Sequence, residues 1–428
     1  MKIEELYQLF EKSPAVSTDT RKIIPNSIFF ALKGANFNGN LFAFDALGKG
    51  ASFAVVDEEP KIQDDRLIVV NDVLKCLQEL ATYHRQKLNI PVLAITGTNG
   101  KTTTKELTAA VLSKKYNLCF TQGNLNNHIG VPLTLLKMDT KTEMAVVEMG
   151  ANHPGEIDQL CRIALPDFGL ITNVGKAHLE GFGSYEGVIQ TKTELYRFLK
   201  TKNGKCFVNA DDPVLCEHAK MLEHITYGQA ETSDLRGELI DSGFFVVGKA
   251  LFPKGWLYLK SKLIGNYNLN NILAAACIGK YFGIDPLKIQ KAIEEYTPSN
   301  NRSQLIETAS NKIIMDAYNA NPSSMMVALQ NFISIAHSQK TIILGDMLEL
   351  GTESESEHQK IADFVSEKFD EIFLVGKNFR KVEIGVKAKK FDNAELLTDY
   401  LIKQPLKSKL ILVKGSRGIS LEKVLGNL

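Results

Sequence analysis

The sequence has few cysteines and no long apolar run. Its six cysteines are scattered over 428 residues without a C-x-x-C pair, which excludes a disulfide-stapled module and gives no zinc motif. A reducing compartment, the cytoplasm, is therefore expected. The acidic start, with Glu4 and Glu5, does not have the basic and then apolar character of a secretory signal. No stretch reaches the roughly 18 apolar residues of a spanning helix, so we expect no membrane partner.

The sequence also lacks an excess of charge of either sign. Lys and Arg total 50 and Asp and Glu total 49, which leaves a net charge of +1. This balance provides no overall attraction for a polyanion, and we expect no nucleic-acid partner. With 44% hydrophobic and 23% charged residues, the composition excludes wholesale disorder and supports several buried cores.

Short apolar runs that end in Gly, Asn or Asp alternate with longer amphipathic segments along the whole chain. Examples lie at 91–97, 144–150, 169–175, 341–346, 372–376 and 410–415. This alternation is typical of β-α units around mostly parallel sheets, and the length favours about three domains. Breaks near 85–90 and 297–303 divide the predicted α/β protein. The predicted domains are 1–87, 88–297 and 298–428. Glycine turns also predict an antiparallel excursion at 225–264.

A glycine-rich loop follows the apolar run that ends at Ile95. In TGTNGKTTTK (96–105), the glycines let backbone N–H groups turn onto a phosphate at a helix N-terminus. Lys101 supplies a positive charge, and the Thr102 hydroxyl can reach Mg²⁺. The motif is the shortened form G-x-x-G-K-T, and the alternative is a glycine turn that caps a helix. The strand before it and the helix after it favour nucleoside triphosphate binding. The predicted nucleotide ligands in the loop are Gly97, Thr98, Asn99, Gly100, Lys101, Thr102 and Thr103.

Three ionisable residues follow in the same predicted domain. Glu148 ends an apolar run, and ligands of open α/β sheets lie beyond the carboxyl ends of strands, so it is predicted to bind the Mg²⁺ of the nucleotide. The alternative is a solvated turn acid. His178 lies in a glycine-punctuated loop, where it is either a ligand or a surface residue. Lys192 lies on a predicted helix, and its spacing alone is that of a solvated lysine.

Several asparagine-rich or polar loops offer further ligands. GNLNNHIG (123–130) suits sugar or peptide groups unless it is a polar β-turn, and in GNYNLNN (265–271) helix capping explains one asparagine but hardly four. DAYNANPSS (316–324), GDMLELG (345–351) and KGSRG (414–418) each follow a predicted strand. We therefore expect a second ligand-binding edge that faces the nucleotide domain across a cleft.

These motifs resemble those of the Mur ligases, the ATP-dependent amide-forming enzymes of peptidoglycan precursor synthesis. They occur in the family's order over almost the whole chain, with EMGANHPGEI (148–157), TNVGKAHLEGFGS (172–184), TKTE (191–194) and NRSQ (301–304) among them. The resemblance implies an N-terminal domain for a uridine nucleotide, a central P-loop mononucleotide-binding domain and a Rossmann-like C-terminal domain. The NANP of 319–322 and the GDMLELG loop favour the member that adds D-alanyl-D-alanine to UDP-N-acetylmuramoyl-tripeptide.

The resemblance also implies a mechanism through an acyl phosphate. Lys101 would neutralise the γ-phosphate, and Thr102 and Glu148 would bind one Mg²⁺. His178 and a Lys192 carbamylated by CO₂ would bind a second Mg²⁺, since a carbamate turns the lysine into a carboxylate-like anion. The implied catalytic residues are Lys101, Glu148, His178 and Lys192.

The remaining implied contacts are to the substrates. Those to ATP, besides the glycine-rich loop, are Asn271, Arg302 and Asp316. Those to the UDP-linked substrate are Ser17, Asp19, Thr20, Arg21, Asn124, Asn126 and Asn127. Those to the D-alanyl-D-alanine dipeptide are Asn319, Asn321, Ser323 and Arg417, whose guanidinium suits a terminal carboxylate.

Two other functions stay open at this point. One is another acid–amino acid ligase of the same superfamily, such as a folylpolyglutamate synthetase or another Mur step. The other is a non-catalytic nucleotide sensor that has kept the fold, although Lys101, Glu148, His178 and Lys192 are all present. The third residue of the accepted peptide is not specified by the sequence, and a monomer is expected.

Overall fold

Three β-sheets, one after another along the chain, organise the structure. The computed structural model describes residues 1–13, 15–60, 62–241, 243–299 and 301–428. Asn300, which belongs to the predicted second domain boundary, lies outside the described residues. The main sheets have four, nine and six strands, and a short ribbon has two. The predicted α/β class is confirmed, whereas the exact domain boundaries stay a prediction.

The N-terminal sheet is small and entirely parallel. The strands of this region are β1 (Ala15–Ser17), β2 (Ser27–Phe30), β3 (Lys33–Gly34), β4 (Phe37–Asn38), β5 (Phe53–Val56) and β6 (Leu67–Val69). The sheet has the order β1-β2-β5-β6, and β3 and β4 form a separate antiparallel ribbon. The helices are α1 (Ile3–Lys12), α2 (Ala43–Gly48) and α3 (Val73–Leu88). Helix α3 begins where the Asp72 carboxylate accepts from the Lys75 N–H.

The central sheet carries the phosphate-binding loop. Its strands are β7 (Val92–Thr96), β8 (Leu118–Phe120), β9 (Met144–Glu148), β10 (Phe168–Ile171), β11 (Lys205–Asn209), β12 (Glu223–Gly228), β13 (Leu235–Asp241), β14 (Val247–Phe252) and β15 (Gly255–Lys260). They lie in the order β15-β14-β13-β12-β11-β10-β7-β9-β8. Strands β7 to β13 pair in parallel with their neighbours from β8 to β13 in this order. Strand β14 pairs antiparallel with both β13 and β15. The predicted antiparallel excursion is thus confirmed over a shorter stretch.

Nine helices accompany the central sheet in the described part of the chain. They are α4 (Lys101–Leu112), α5 (Gly130–Leu135), α6 (Glu156–Ala164), α7 (Leu179–Phe182), α8 (Tyr185–Lys192), α9 (Glu194–Thr201), α10 (Pro213–Ala219), α11 (Asn268–Tyr281) and α12 (Pro286–Glu295). Helix α4 follows β7 directly and packs beside the alanine-rich α11. This pairing brings the start of α11 next to the phosphate-binding loop.

The C-terminal sheet is parallel except for its first strand. Its strands are β16 (Gln304–Glu307), β17 (Lys312–Asp316), β18 (Lys340–Gly345), β19 (Glu371–Val375), β20 (Ala388–Phe391) and β21 (Leu410–Lys414), in the order β16-β17-β21-β18-β19-β20. Its helices are α13 (Pro322–Ser334), α14 (Ser354–Ser366), α15 (Lys377–Lys381) and α16 (Ala394–Lys403). Among the described residues, no helix has the length and apolar character needed to cross a bilayer.

The apolar cores of the N-terminal and central regions are continuous. Phe10 of α1 and Leu77 of α3 belong to the same cluster of buried side chains as Val92 of β7 and Leu160 of α6. The C-terminal sheet has one cluster on each face, and one of these also includes Ile264 of the central region. Helix α3 is therefore shared by the first two regions, although the predicted boundary falls at its end.

Arg85 links α3 to the central region from a buried position. It is 5% exposed, and its guanidinium donates to the carbonyl oxygens of Ala164 and Leu165 and to Asp167 Oδ2 at 2.7 Å. The same carboxylate oxygen accepts from the Val92 N–H, at the start of β7. This network fixes α3 against the strand that leads into the glycine-rich loop.

Arg85→Ala is expected to lower the free energy of unfolding by about 2 to 3 kcal/mol, because it leaves buried carbonyl groups without a donor. Denaturant titration measures the change. The matched control is Arg162→Ala, since Arg162 is 71% exposed and pairs with Asp158 on the surface of α6. That control should change stability by no more than about 0.5 kcal/mol. Equal effects of the two substitutions would contradict this role for Arg85.

Candidate active site

A cleft of about 640 Å³ lies between the central and C-terminal sheets. The carboxyl ends of β7, β9 and β10 bound it on one side, and those of β17 and β21 on the other. The residues named from the sequence that line it are Thr98, Asn99, Gly100, Lys101, Thr102, Thr103, Asn126, Asn127, Glu148, His178, Asn271, Arg302, Asp316, Asn319, Asn321 and Ser323. Those outside its lining are Ser17, Asp19, Thr20, Arg21, Gly97, Asn124, Lys192 and Arg417.

Two glycines give the phosphate-binding loop its shape. Gly97 has φ +138°, and a Cβ there would lie 2.0 Å from Thr172 Oγ1. Gly100 has φ +79°, and its Cβ would lie 2.7 Å from Asn271 Oδ1. Both positions combine a left-handed backbone with close neighbours, so only glycine fits. The loop then enters α4 at Lys101 with its N–H groups at the helix start, which is the geometry of an anion site.

Thr172 and Asn173, just after β10, hold the loop in place. Asn99 donates its N–H to Asn173 Oδ1 at 3.0 Å and accepts from Asn173 Nδ2 at 2.9 Å. Thr172 Oγ1 also donates to the Asn99 carbonyl, at 2.6 Å. The sequence interpretation assigned neither residue a role. Their position at the end of the strand adjacent to β7 is the signal that could have revealed them.

Lys101 is folded back onto its own loop. Its Nζ donates to the Gly97 carbonyl at 2.6 Å and to the Thr98 carbonyl at 2.9 Å. Burial, together with the nearby charge of Arg302, lowers the pKa of Lys101 to about 8, while Glu148 opposes the shift. An anion bound on the loop would stabilise the ammonium form of Lys101, so this lysine is suited to neutralise negative charge on a phosphate.

Glu148 places a buried carboxylate beside the loop. It is 1% exposed, and its Oε1 accepts from Thr102 Oγ1 at 3.2 Å and from Asn126 Nδ2 at 2.8 Å. Its Oε2 is buried without a hydrogen-bond partner within the described ranges. A buried carboxylate oxygen without a donor is unfavourable unless a cation balances it. The pair Thr102 and Glu148 therefore fits Mg²⁺, which prefers oxygen ligands.

A fully buried lysine supports Glu148 from behind. Lys105 of α4 is 0% exposed, and its Nζ donates to the Thr121 carbonyl at 2.7 Å and to Glu106 Oε1 at 2.6 Å. The Thr121 hydroxyl in turn accepts from the Glu148 N–H at 3.0 Å. Lys105 and Thr121 thus fix the end of β9, a function that the sequence interpretation did not assign to them.

His178 forms a contact between the two sides of the cleft. Its backbone is left-handed, with φ +50°, and its Nδ1 pairs with Glu349 Oε2 in the GDMLELG loop. Burial lowers the pKa of His178, while the charge of Glu349 opposes this shift. Glu349 is a partner that the sequence interpretation did not identify.

Lys192 is buried, so the prediction of a solvated lysine from its spacing alone is wrong. It is 2% exposed at the end of α8, its Nζ donates to the Ala151 carbonyl at 3.3 Å, and it lies 5.1 Å from the centre of the Phe182 ring. Burial, assisted by the charge of Lys101, moves its pKa well below the ordinary value for lysine. Among the described residues no group of three His, Cys, Asp or Glu is placed to hold a metal ion.

The C-terminal side of the cleft is polar and touches the phosphate-binding loop. Asn321 caps α13 through the Ser324 N–H and donates its Nδ2 to Asn99 Oδ1 at 2.8 Å. Asp316, at the end of β17, accepts from the buried Lys414 Nζ at 2.6 Å. Lys414 was not singled out from the sequence, although it ends the neighbouring strand.

Two residues at the start of α11 connect the same regions. Asn271 accepts from Thr104 Oγ1 at 3.0 Å and donates to Asn268 Oδ1 at 2.7 Å, so it is aligned beside the phosphate-binding loop. The Tyr267 hydroxyl forms a hydrogen bond of 3.0 Å with Ser303 Oγ in the C-terminal region. The tyrosine therefore has a bridging role here.

The residues expected to contact the UDP-linked substrate lie in two places. Asn126 and Asn127 line the cleft, and Asn127 also accepts from the Gly130 N–H at the start of α5. Ser17 donates to the Lys22 carbonyl, and Asp19 accepts from Arg21 side-chain and backbone N–H groups. The Arg21 guanidinium lowers the pKa of Asp19 to about 2. Ser17 ends β1, and Asp19, Thr20 and Arg21 follow it, all outside the cleft lining.

Comparison with known proteins identifies the family. The Mur ligase middle domain matches residues 95–279, and the Mur ligase glutamate ligase domain matches residues 301–417. The UDP-N-acetylmuramoyl-tripeptide–D-alanyl-D-alanine ligase of Bacillus subtilis (strain 168) is 37% identical over 96% of this chain and 92% of its own. The chain belongs to the Mur ligase family.

Solved Mur ligase structures have the same architecture. Crystal structure I of MurF from Acinetobacter baumannii superposes with a TM-score of 0.87 at 30% identity, covering 98% of this chain and 97% of the other. MurF ligase from Thermotoga maritima in complex with ADP gives a TM-score of 0.85 at 26% identity, covering 97% of each chain. The expected three-domain Mur ligase fold is therefore confirmed, and among its members the chain is similar to MurF.

In this Mur ligase, Lys105→Met is expected to raise the Mg²⁺ concentration for half-maximal ATP turnover about tenfold. The substitution removes a charged donor that fixes Thr121 and hence Glu148, a contact of the kind worth about 1.5 kcal/mol. Activity titrated against Mg²⁺ measures the shift. Lys114→Met is the control, because Lys114 follows α4 and pairs with Glu295 at the surface. An unchanged Mg²⁺ dependence in a folded Lys105→Met protein would refute this role.

Proposed function

We propose that this protein ligates D-alanyl-D-alanine to UDP-N-acetylmuramoyl-tripeptide with ATP, the MurF reaction that completes the pentapeptide precursor of peptidoglycan. The observation that carries the proposal is the cleft in which the phosphate-binding loop faces the Asn319 to Ser323 segment. Similarity to MurF proteins over 96% of the chain supports this substrate pair over a folate or other Mur substrate.

The first step is phosphoryl transfer. A carboxylate oxygen of the tripeptide attacks the γ-phosphorus, and the bond from this phosphorus to the β-γ bridging oxygen breaks. ADP is the leaving group, and the tripeptide now carries an acyl phosphate. Backbone N–H groups of the loop hold the phosphates, and Lys101 exchanges its loop carbonyls for phosphate oxygens as negative charge develops. Asn271, Arg302 and Asp316 hold the rest of the nucleotide. Their place along the same cleft supports this assignment.

The second step is amide formation. The free amine of the dipeptide attacks the acyl carbon, phosphate leaves with the pair of electrons from the C–O bond, and the amine loses a proton. Asn319, Asn321 and Ser323 position the dipeptide, and Arg417 pairs with its carboxylate. The protein supplies positioning and charge neutralisation rather than a nucleophile.

Mg²⁺ is the implied metal, and the residues present fit it. Thr102 and Glu148 would hold one ion together with the nucleotide, as the unpartnered Glu148 Oε2 supports. When bound, Mg²⁺ neutralises charge on the phosphate oxygens. His178 and a carbamylated Lys192 would hold a second. The depressed pKa of Lys192 supports this, because only a neutral amine adds CO₂, giving a carbamate and releasing a proton.

The UDP-linked substrate is assigned to the N-terminal region and the neighbouring asparagine loop. Ser17, Asp19, Thr20 and Arg21 would receive the nucleotide part, and Asn124, Asn126 and Asn127 the sugar or peptide part. The position of Asn126 supports this assignment, because it lines the cleft and donates to the Glu148 carboxylate. The monomeric state and the cytoplasmic location also stay predictions.

A reconstituted assay tests the function. Purified protein with ATP, Mg²⁺, UDP-N-acetylmuramoyl-tripeptide and D-alanyl-D-alanine should release phosphate and form the UDP-pentapeptide. Separate reactions compare lysine- and diaminopimelate-containing tripeptides and replace the dipeptide by glutamate or lysine. Phosphate release with glutamate alone would indicate another ligase of the superfamily, and ATP binding without any product would indicate a nucleotide sensor.

Lys101→Ala is expected to lower kcat at least a hundredfold. The loop would lose its fixed positive charge as charge builds on the γ-phosphate, and loss of one such group costs about 3 kcal/mol of barrier. Product formation measures the loss. Folding should survive, because the hydrogen bonds that the ammonium donates within the described part of the chain are to carbonyls of its own loop. Near-normal turnover in a folded variant would rule out this role of the loop.

Lys192→Ala is expected to be nearly inactive, and short carboxylic acids should restore part of its activity by occupying the vacated anionic position. Initial rates with and without added acetate measure the rescue. Lys192→Arg keeps a positive charge but cannot bind CO₂, so it should also be inactive. Full activity of Lys192→Arg would refute the carbamate. Lys200→Ala, on the exposed side of α9, is the control and should keep the wild-type rate.

A further inference from the structure

The C-terminal domain stacks two arginines on one tyrosine. The guanidinium carbon of Arg302 lies 3.7 Å from the centre of the Tyr318 ring, and that of Arg417 lies 5.5 Å from it. Both distances fall within the range of about 6 Å in which a ring attracts a cation. Arg302 precedes β16, Tyr318 follows β17 and Arg417 follows β21, so three separate segments converge on one half-buried ring.

Hydrogen bonds hold the chain on both sides of Tyr318. On one side of it in the chain, Asp316 accepts from the Ser303 N–H at 3.1 Å, next to Arg302. On the other side, the Asn319 carbonyl accepts from Lys414 Nζ at 3.4 Å, near the segment of Arg417. The Nε of Arg302 is buried without a hydrogen-bond partner in the part of the chain that the structure describes. The ring contact therefore contributes to holding this arginine.

We infer that Tyr318 is a positioning residue that couples the ATP site to the dipeptide site. The inference rests on the proposed function, in which Arg302 contacts ATP and Arg417 contacts the dipeptide carboxylate. When ATP fixes Arg302, the stacked ring is fixed with it, and the ring then favours the bound position of Arg417. ATP thus tightens dipeptide binding, and the dipeptide tightens ATP binding by the same factor.

Binding without turnover measures this coupling. Calorimetry with the wild-type protein, Mg²⁺ and UDP-N-acetylmuramoyl-tripeptide compares the Kd of D-alanyl-D-alanine with and without saturating AMP-PCP, which cannot transfer its terminal phosphoryl group. We expect the analogue to lower that Kd about three- to tenfold. Tyr318→Leu should bind both ligands more weakly and show a ratio near one. Tyr318→Phe keeps the ring and should keep the wild-type ratio.

The coupling ratio separates positioning from general weakening, because a merely structural defect raises both Kd values but leaves their ratio unchanged. Steady-state kinetics should agree, with larger increases in KM for ATP and dipeptide than decreases in kcat. Thermal melts check folding, and Tyr318→Gln replaces Tyr318→Leu if the latter is unfolded at the assay temperature. A wild-type ratio in the folded non-aromatic variant, or equal loss in Tyr318→Phe, would overturn the inference.

The wild-type protein distinguishes failure of this inference from failure of the proposed function. Product formation from all three substrates together with a coupling ratio of one would overturn the role of Tyr318 and leave the ligase activity intact. Absence of product and of dipeptide binding would overturn the proposed function and the inference with it.

Discussion

A hydrogen bond of 2.8 Å between Asn321 and Asn99 joins the two halves of the site. It places the start of α13 against the phosphate-binding loop, although the two residues follow strands of different sheets. The His178 pair with Glu349 and the Tyr267 bond to Ser303 connect the same domains. The acyl phosphate of the proposed reaction would be lost to water if it were exposed, so that reaction depends on keeping the two edges together.

The parts of the site that are local in sequence could be predicted. The strand β7, two glycines of special conformation, Lys101 and the following helix are consecutive, so a short motif determines their arrangement. The polar loops at the ends of β17, β18 and β21 were also predictable, because parallel strands bring their carboxyl ends to one edge of the sheet. Family resemblance then assigned chemistry to positions that pattern alone left ambiguous.

The parts that depend on long-range packing could not be predicted from pattern. Lys192 is buried because α8 is covered by neighbouring segments, yet its spacing resembles that of a surface lysine. Glu349 meets His178 across 171 residues of sequence, and Lys105 is linked to Glu148 through Thr121. In each case the packing of helices and strands determines the partner, and the sequence around an ionisable residue does not identify it.

The continuous core of the first two domains has a consequence for how the molecule unfolds and how it can be divided. Since α3 shares its buried side chains with both α1 and β7, separating the first two domains would open the apolar cluster that they have in common. A fragment that begins at the central domain, and so lacks α1 and α3, would expose a large apolar surface and aggregate. A truncation after α12 leaves this shared core whole, but it separates Ile264 from the apolar cluster that it shares with the C-terminal sheet.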